Sequence, residues 1–121
     1  MHLKNIKRDI IIGTAQLNSN YGIANNSLNN NHAKSIELLK YAKNNNFNSF
    51  DSAYAYKNAH KLIGNWASTE KVSLNLYTKL PKLNTLPNTN TAKIFSEIIK
   101  DLNTNKIAGL LLHHSNDWKN K

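Results

Sequence analysis

The sequence contains no cysteine, one methionine, two prolines, four glycines and seven acidic residues in 121 positions. Without cysteine there is no disulfide scaffold, no thiolate metal site and no cysteine nucleophile. The few Asp and Glu stand against 16 Lys and Arg and leave a formal net charge of +9. A surplus of that sign attracts polyanions in general. Charged residues make up only 19% of the chain, however, so the surplus reflects scarce acid more than dense base. Basic residues cluster only at Lys4–Arg8 and Lys119–Lys121, without the interleaved aromatics of single-strand-binding segments. No specific nucleic-acid partner is expected.

Long apolar runs are also missing. None approaches the roughly 18 residues of a membrane span, and the basic start, Met1 to Arg8, leads into an apolar run too short for a signal peptide. The expectation is a cytoplasmic protein without a membrane partner. What is abundant is asparagine, 22 residues in all, consistent with the codon bias of an AT-rich genome. Hydrophobic residues at 40% argue against wholesale disorder, and the length allows one domain at most.

Strands and helices alternate along the chain. Asp9 to Thr14 is a continuous apolar run closed by Gly13 and Thr14, which reads as a strand buried on both faces. A polar loop, Asn18 to Asn31, turns at Gly22. From His32 to Asn44 the period is helical, with Ile36, Leu38, Leu39 and Ala42 on one broad face. Asn44, Asn45 and Asn46 end it, because Asn tolerates the left-handed conformation at a helix C-terminus. Phe47 to Asp51 reads as a second strand. Ala59, Leu62, Ile63 and Trp66 then form an i, i+3, i+4, i+7 stripe on a helix over about Asn58 to Ala67. Trp66 completes that stripe and is expected in the core; His32 and His60 are expected on helix surfaces.

Val72 to Lys79 alternates as a third strand, with Val72, Leu74, Leu76 and Thr78 on one side and Ser73, Asn75, Tyr77 and Lys79 on the other. Pro81 and Pro87 bracket a loop. Ile94, Phe95, Ile98, Ile99 and Leu102 share a face of a third helix, Thr91 to Asn103, and Lys106 to His113 is a fourth strand around the apolar run Ile107 to Leu112. This order implies an α/β fold with about four parallel strands, three helices and right-handed crossovers. Doubly wound sheets and barrels both satisfy it.

Parallel α/β proteins place their chemistry at the C-terminal ends of strands, which here are Thr14, Asp51, Lys79 and His113. Neighbouring strands lie about 4.8 Å apart, so inward-facing members of this set would gather an acid, an amine and an imidazole. A Lys beside an Asp keeps its charge and lowers the pKa of a nearby phenol, and Tyr56, five residues beyond Asp51, supplies one. The same Asp and Lys at strand ends would also suit a purely structural ion pair. Tyr54 is better explained by packing or loop structure. His113 and His114 point to opposite faces of a strand and have no third ligand at useful spacing, so no metal site is expected.

Phe50-Asp51-Ser52-Ala53-Tyr54-Ala55-Tyr56, then Thr78-Lys79, then Leu110-Leu111-Leu112-His113 resembles the aldo-keto reductases. Ile12-Gly13-Thr14-Ala15-Gln16-Leu17 followed by Tyr21-Gly22-Ile23-Ala24-Asn25 is similar to the first strand and loop of a bacterial subgroup of that family. The resemblance implies a partial (β/α)8 TIM barrel and NADPH-dependent (NADP-linked) reduction of an aldehyde or ketone, a small-molecule carbonyl substrate. It gives the catalytic set as Asp51, Tyr56, Lys79 and His113. Tyr56 is then the proton donor, Lys79 the cation that assists it, Asp51 the partner of Lys79 and a cofactor contact, and His113 the group that orients the carbonyl. Thr14 is the other cofactor contact. Lys57 and His60 depart from the family pattern, which often has Gly directly after the tyrosine and Glu four residues on, whereas Gly64 fits it.

A barrel of this type needs eight strands and about 250 residues, with its phosphate site after strands seven and eight. Residues 1–121 are accordingly expected to be the N-terminal half of an aldo-keto reductase barrel, an incomplete domain inactive as an isolated chain. Half a barrel has two open sheet edges and an exposed apolar face, which invite self-association or a complementary half-barrel chain. The alternative expectation is a non-catalytic or split half-barrel subunit that acts through such an association.

Overall fold

The computed structural model describes residues 10–17, 31–56, 58–85 and 90–119. Of the expected Asn18–Asn31 loop with Gly22 only Asn31 is described, and it begins a helix instead; the Tyr21–Asn25 motif, the basic cluster Lys4–Arg8, Lys57 and Pro87 lie outside the described residues.

Four strands, β1 (Ile11–Gly13), β2 (Ser49–Asp51), β3 (Asn75–Lys79) and β4 (Gly109–Leu111), alternate with three helices, α1 (Asn31–Asn44), α2 (Ala59–Thr69) and α3 (Thr91–Asp101). All adjacent strands pair parallel, in the order β1-β2-β3-β4. This order decides between the two architectures left open by the sequence. A doubly wound sheet reverses its strand order at a switch point; here each crossover steps to the next strand in the same direction. Right-handed crossovers, the hand that parallel strands impose, then set all three helices on one face of the sheet, as in one arc of a barrel.

The register separates the two faces. Ile12, Phe50 and Leu76 lie side by side on the helix-facing side, where Phe50 is 1% exposed. Leu39 and Ala42 of α1, Leu62, Ile63 and Trp66 of α2, and Ile94, Ile98 and Leu102 at α3 close over them as one core. Trp66 is in the core as its spacing predicts. Gly64 lets α2 and α3 approach backbone to backbone: a Cβ there would stand 2.5 Å from the carbonyl oxygen of Asp101 and 2.5 Å from the carbonyl carbon of Leu102.

Each helix ends in the same device. Asn46, Lys71 and Asn103 have φ of 65°, 53° and 49°. Each donates its N–H to a carbonyl three residues back (Lys43, Ser68, Lys100), and the following residue donates to one five back (Ala42, Ala67, Ile99). This is the Schellman pattern, which turns each helix directly toward the next strand. Asn46 follows the asparagine signal; Lys71 adopts the left-handed conformation without one.

Several expectations are corrected. The first strand is not buried on both faces: Ile11 is 46% exposed and Gly13 is open, because β1 is a sheet edge. The fourth strand shrinks from the Ile107–Leu112 run to Gly109–Leu111, and Leu110, Leu111 and Leu112 are all exposed at the other edge. Leu38 leaves the expected core face of α1 and is 51% exposed, while Ser35 joins Leu39 and Ala42 on the buried side. His60 is no surface residue; it is 2% exposed. His32 is exposed as expected.

Candidate active site

On the face turned away from the helices, Gly13, Asp51, Tyr77 and Gly109 lie in register as one row across all four strands. Lys79 stands two residues farther along β3 on the same face, beside Leu111. His113 follows Leu111 by two residues, just past the end of β4, and is exposed. The strand ends therefore put Asp51 and Lys79 on one face, as the alternation in Val72 to Lys79 requires. They are diagonal neighbours, with Cα atoms roughly 8 Å apart by strand geometry. Among the described residues Asp51 and Lys79 form no ion pair with each other, whereas Lys40 and Glu70 pair at 3.4 Å on the helix side. Lys79 sits one row above Asp51 on that face.

Tyr56 ends a short 3-10 turn, Tyr54–Tyr56, that follows β2. Its N–H donates to the Ala53 carbonyl at 3.0 Å, and its ring is partly buried against the core. The turn begins just beyond the strand end, so it keeps Tyr56 at the same end of the sheet as Asp51. Tyr54, at the start of the turn, is exposed, and its hydroxyl donates to Glu97 Oε2 on α3 at 3.2 Å. Its pKa is raised, first by desolvation and then by the Glu97 hydrogen bond and charge. Tyr54 thus ties the turn to α3, the loop role expected of it.

Thr14 is 1% exposed. Both its N–H and its hydroxyl donate to the Asp51 carbonyl, each at 2.9 Å. Whatever else it touches, Thr14 fixes the backbone of Asp51 to the end of β1. His114 is also accounted for: its Nδ1 accepts from Asn116 N–H at 3.2 Å, while its own N–H donates to Asp117 Oδ2 at 3.0 Å. These bonds start the 3-10 turn Ser115–Lys119 and occupy the second histidine of the pair in local structure.

Two residues at this end were given no part in the site by the sequence. Tyr77 lies between Asp51 and Gly109 in the inner row, and a Cβ on Gly109 would come within 2.7 Å of Tyr77 Cδ1. The tyrosine ring therefore leans over the glycine and floors this part of the face. The period-2 pattern that set Tyr77 beside Lys79 was the available signal. The second is His60 on α2, whose Nε2 lies 2.8 Å from Thr78 Oγ1, the residue before Lys79. Its place three residues before Ile63 and four before Gly64 on the buried stripe was a readable sign.

A dinucleotide, the cofactor that the resemblance implies, would need room on the inner face. Nothing lies within 4 Å of where a Cβ on Gly13 would be, so there is open space beside Asp51. The phosphate end of such a cofactor needs donors from later barrel loops, which these residues do not include.

The fold and the row of strand-end residues define an α/β barrel segment with its polar groups at the C-terminal end. The aldo/keto reductase family model matches residues 9–121, and the chain belongs to that family. Among solved structures it is similar to two from Pseudomonas aeruginosa described as aldo-keto reductases. The first has 19% identity and a TM-score of 0.67, with 86% of this chain and 42% of that one covered; for the second the values are 18%, 0.64, 86% and 40%. A thermostable aldo-keto reductase crystallised with the inhibitor epalrestat has 21% identity and a TM-score of 0.65, over 85% of this chain and 37% of its own. No curated protein sequence matches. The chain spans about two fifths of the length of the structures it resembles. No helix among the described residues is long and apolar enough to cross a membrane.

Proposed function

We propose that the chain supplies the Asp51, Tyr56, Lys79 and His113 portion of a carbonyl reductase site, which acts once further strands close the barrel. The observation that carries this is the shared inner face of Asp51 and Lys79, with the Tyr56 turn beginning directly above the end of β2. NADPH, when bound, supplies the hydride. Asp51 and the open space at Gly13 would border the reacting end of that cofactor, with Thr14 holding the Asp51 backbone in place. His113 donates a hydrogen bond that orients the substrate carbonyl. Tyr56 gives its hydroxyl proton to the oxygen as negative charge develops on it. A phenol with an ordinary pKa near 10 is a slow acid at neutral pH, and the ammonium of Lys79 stabilises the phenolate left behind.

The test is NADPH oxidation with a panel of aldehydes by a barrel reconstituted from this chain and a second (β/α)4 polypeptide, with Tyr56 intact or changed to Phe. A loss of roughly 100-fold or more in turnover with cofactor binding retained is expected of a general acid. Unchanged turnover removes the enzyme reading.

The exposed apolar edges favour a second reading, in which the chain acts by association without catalysis. Ile10 and Ile11 on one edge and Leu110, Leu111 and Leu112 on the other are all exposed. Light scattering on the purified chain separates an associating subunit from a monomer. Ile11→Lys weakens any assembly that pairs through β1, since edge lysines oppose strand addition.

A further inference from the structure

We propose that His60 is a positioning residue for Lys79, acting from behind the sheet through its hydrogen bond to Thr78. This rests on the reading of Lys79 as the cation that assists Tyr56. Thr78 and Lys79 are consecutive on β3, so their side chains point to opposite faces. Thr78 faces the helices and is fully buried; Lys79 faces the site. Whatever fixes Thr78 therefore fixes the origin of the Lys79 side chain at the end of the strand.

His60 is suited to that task because it cannot move independently. Its neighbours on α2, Ala59 and Ile63, are fully buried, and Gly64 one turn on abuts the Asp101–Leu102 backbone. The imidazole is thus carried by a helix locked between the sheet and α3. Thr78 has a rotatable hydroxyl that donates to a neutral imidazole nitrogen or accepts from its N–H, so the 2.8 Å contact is satisfied in either tautomer. By strand register, Ser52 precedes Thr78 in the same helix-facing row on β2, and its buried hydroxyl has no protein partner among the described residues. Of these two adjacent buried hydroxyls, the one next to Lys79 is the one that α2 grips.

The groups that face His60 are Thr78 from β3, Asp101 from α3, and Tyr54, Lys61, Glu97 and Lys100, which share with it a surface depression of about 590 Å³. Burial lowers the pKa of His60, partly opposed by Asp101. The contact to Thr78 is accordingly made by a neutral ring at neutral pH.

The experiment reads Lys79 directly in the 121-residue chain and needs no turnover. Lysines are acylated in competition at limiting reagent, and the labelling of Lys79 is measured by mass spectrometry relative to exposed Lys34. His60→Leu and Thr78→Val are each expected to change that ratio by roughly threefold or more, with the double variant adding nothing further. His60→Gln, which restores a hydrogen-bonding group, and Thr78→Ser, which keeps the hydroxyl, are expected to return the ratio to the original value. They also keep the test open if the apolar variants do not fold. An unchanged Lys79 ratio in folded His60→Leu or Thr78→Val overturns the proposal, as does a changed ratio in Thr78→Ser. Failure of the reconstituted barrel to reduce carbonyls counts against the enzyme reading alone, since the Lys79 ratio is measured independently of it.

Discussion

On the helix-facing side of the sheet, Ile12, Phe50 and Leu76 lie in register beneath three helices; on the other side, the row one residue along is Gly13, Asp51, Tyr77 and Gly109. The same strands, read at odd and even positions, thus build a closed apolar layer and an open polar one. The closed layer provides the stability of the chain, because burial of apolar side chains is the dominant favourable contribution to folding. The open layer carries groups that a stable core does not need: an acid, a phenol and, one row up, an amine. Phe50 and Leu76 in the helix-covered layer are thus buried, whereas Asp51, Tyr77 and Lys79 on the open layer stay partly exposed.

The sharpest way to break this contrast is to truncate one residue on each side. Phe50→Ala is expected to cost about 3–5 kcal/mol, a large fraction of the roughly 5–15 kcal/mol that holds an ordinary domain together. Tyr77→Ala, in the adjacent row of the same sheet, is expected to cost roughly 1 kcal/mol, because its ring is only partly covered. Urea denaturation followed by circular dichroism compares them, and equal costs would mean that the inner face is packed as well. Next in size is Gly64→Ala. Overpacking against the Asp101 and Leu102 backbone costs about 1–3 kcal/mol, which outweighs the gain of up to about 1 kcal/mol in helix propensity. A net stabilisation would contradict the close α2–α3 approach.

Acid titration probes the polar group inside the closed layer. The unfolded chain takes up the His60 proton near pH 6.5, whereas burial lowers that pKa in the folded chain. The unfolded state then binds more protons, so stability contributed by the neutral ring is present above about pH 6.5 and is lost as pH falls through the lower folded value. His60→Gln should flatten this part of the pH profile, measured as the urea midpoint between pH 7 and pH 5. The smallest effect concerns Lys71, at φ 53°. Lys71→Gly is expected to add about 1 kcal/mol, because glycine reaches the left-handed region without strain; a loss would show that its side chain makes a contact worth more than the strain.

Much of this contrast was legible in the residues. The alternation from Val72 to Lys79 and the i, i+3, i+4, i+7 stripe ending at Trp66 placed the core correctly, since both depend on periods that the backbone enforces. The strand ends at Asp51 and Lys79 were legible for the same reason. Barrel and doubly wound sheet could not be separated, because both use the same alternation and differ only in strand order. The exposure of Ile11, Leu38 and Leu110 was not legible either: apolar character does not by itself say whether a neighbouring element covers the residue. His60 was passed over because histidine is usually a surface or site residue. Its membership of the buried stripe outweighed that prior. The left-handed Lys71 carried no signal, since Gly and Asn are the residues that mark such positions.

The claim that the open face is a reductase site awaiting the rest of its barrel is tested most directly by titrating NADPH fluorescence with the chain shown to be monomeric by light scattering. The account predicts no saturable binding through the low-micromolar range, because Asp51 and the space at Gly13 border only one end of the cofactor. Stoichiometric low-micromolar binding by the monomer would contradict it and would mean that these four strands hold a complete cofactor site.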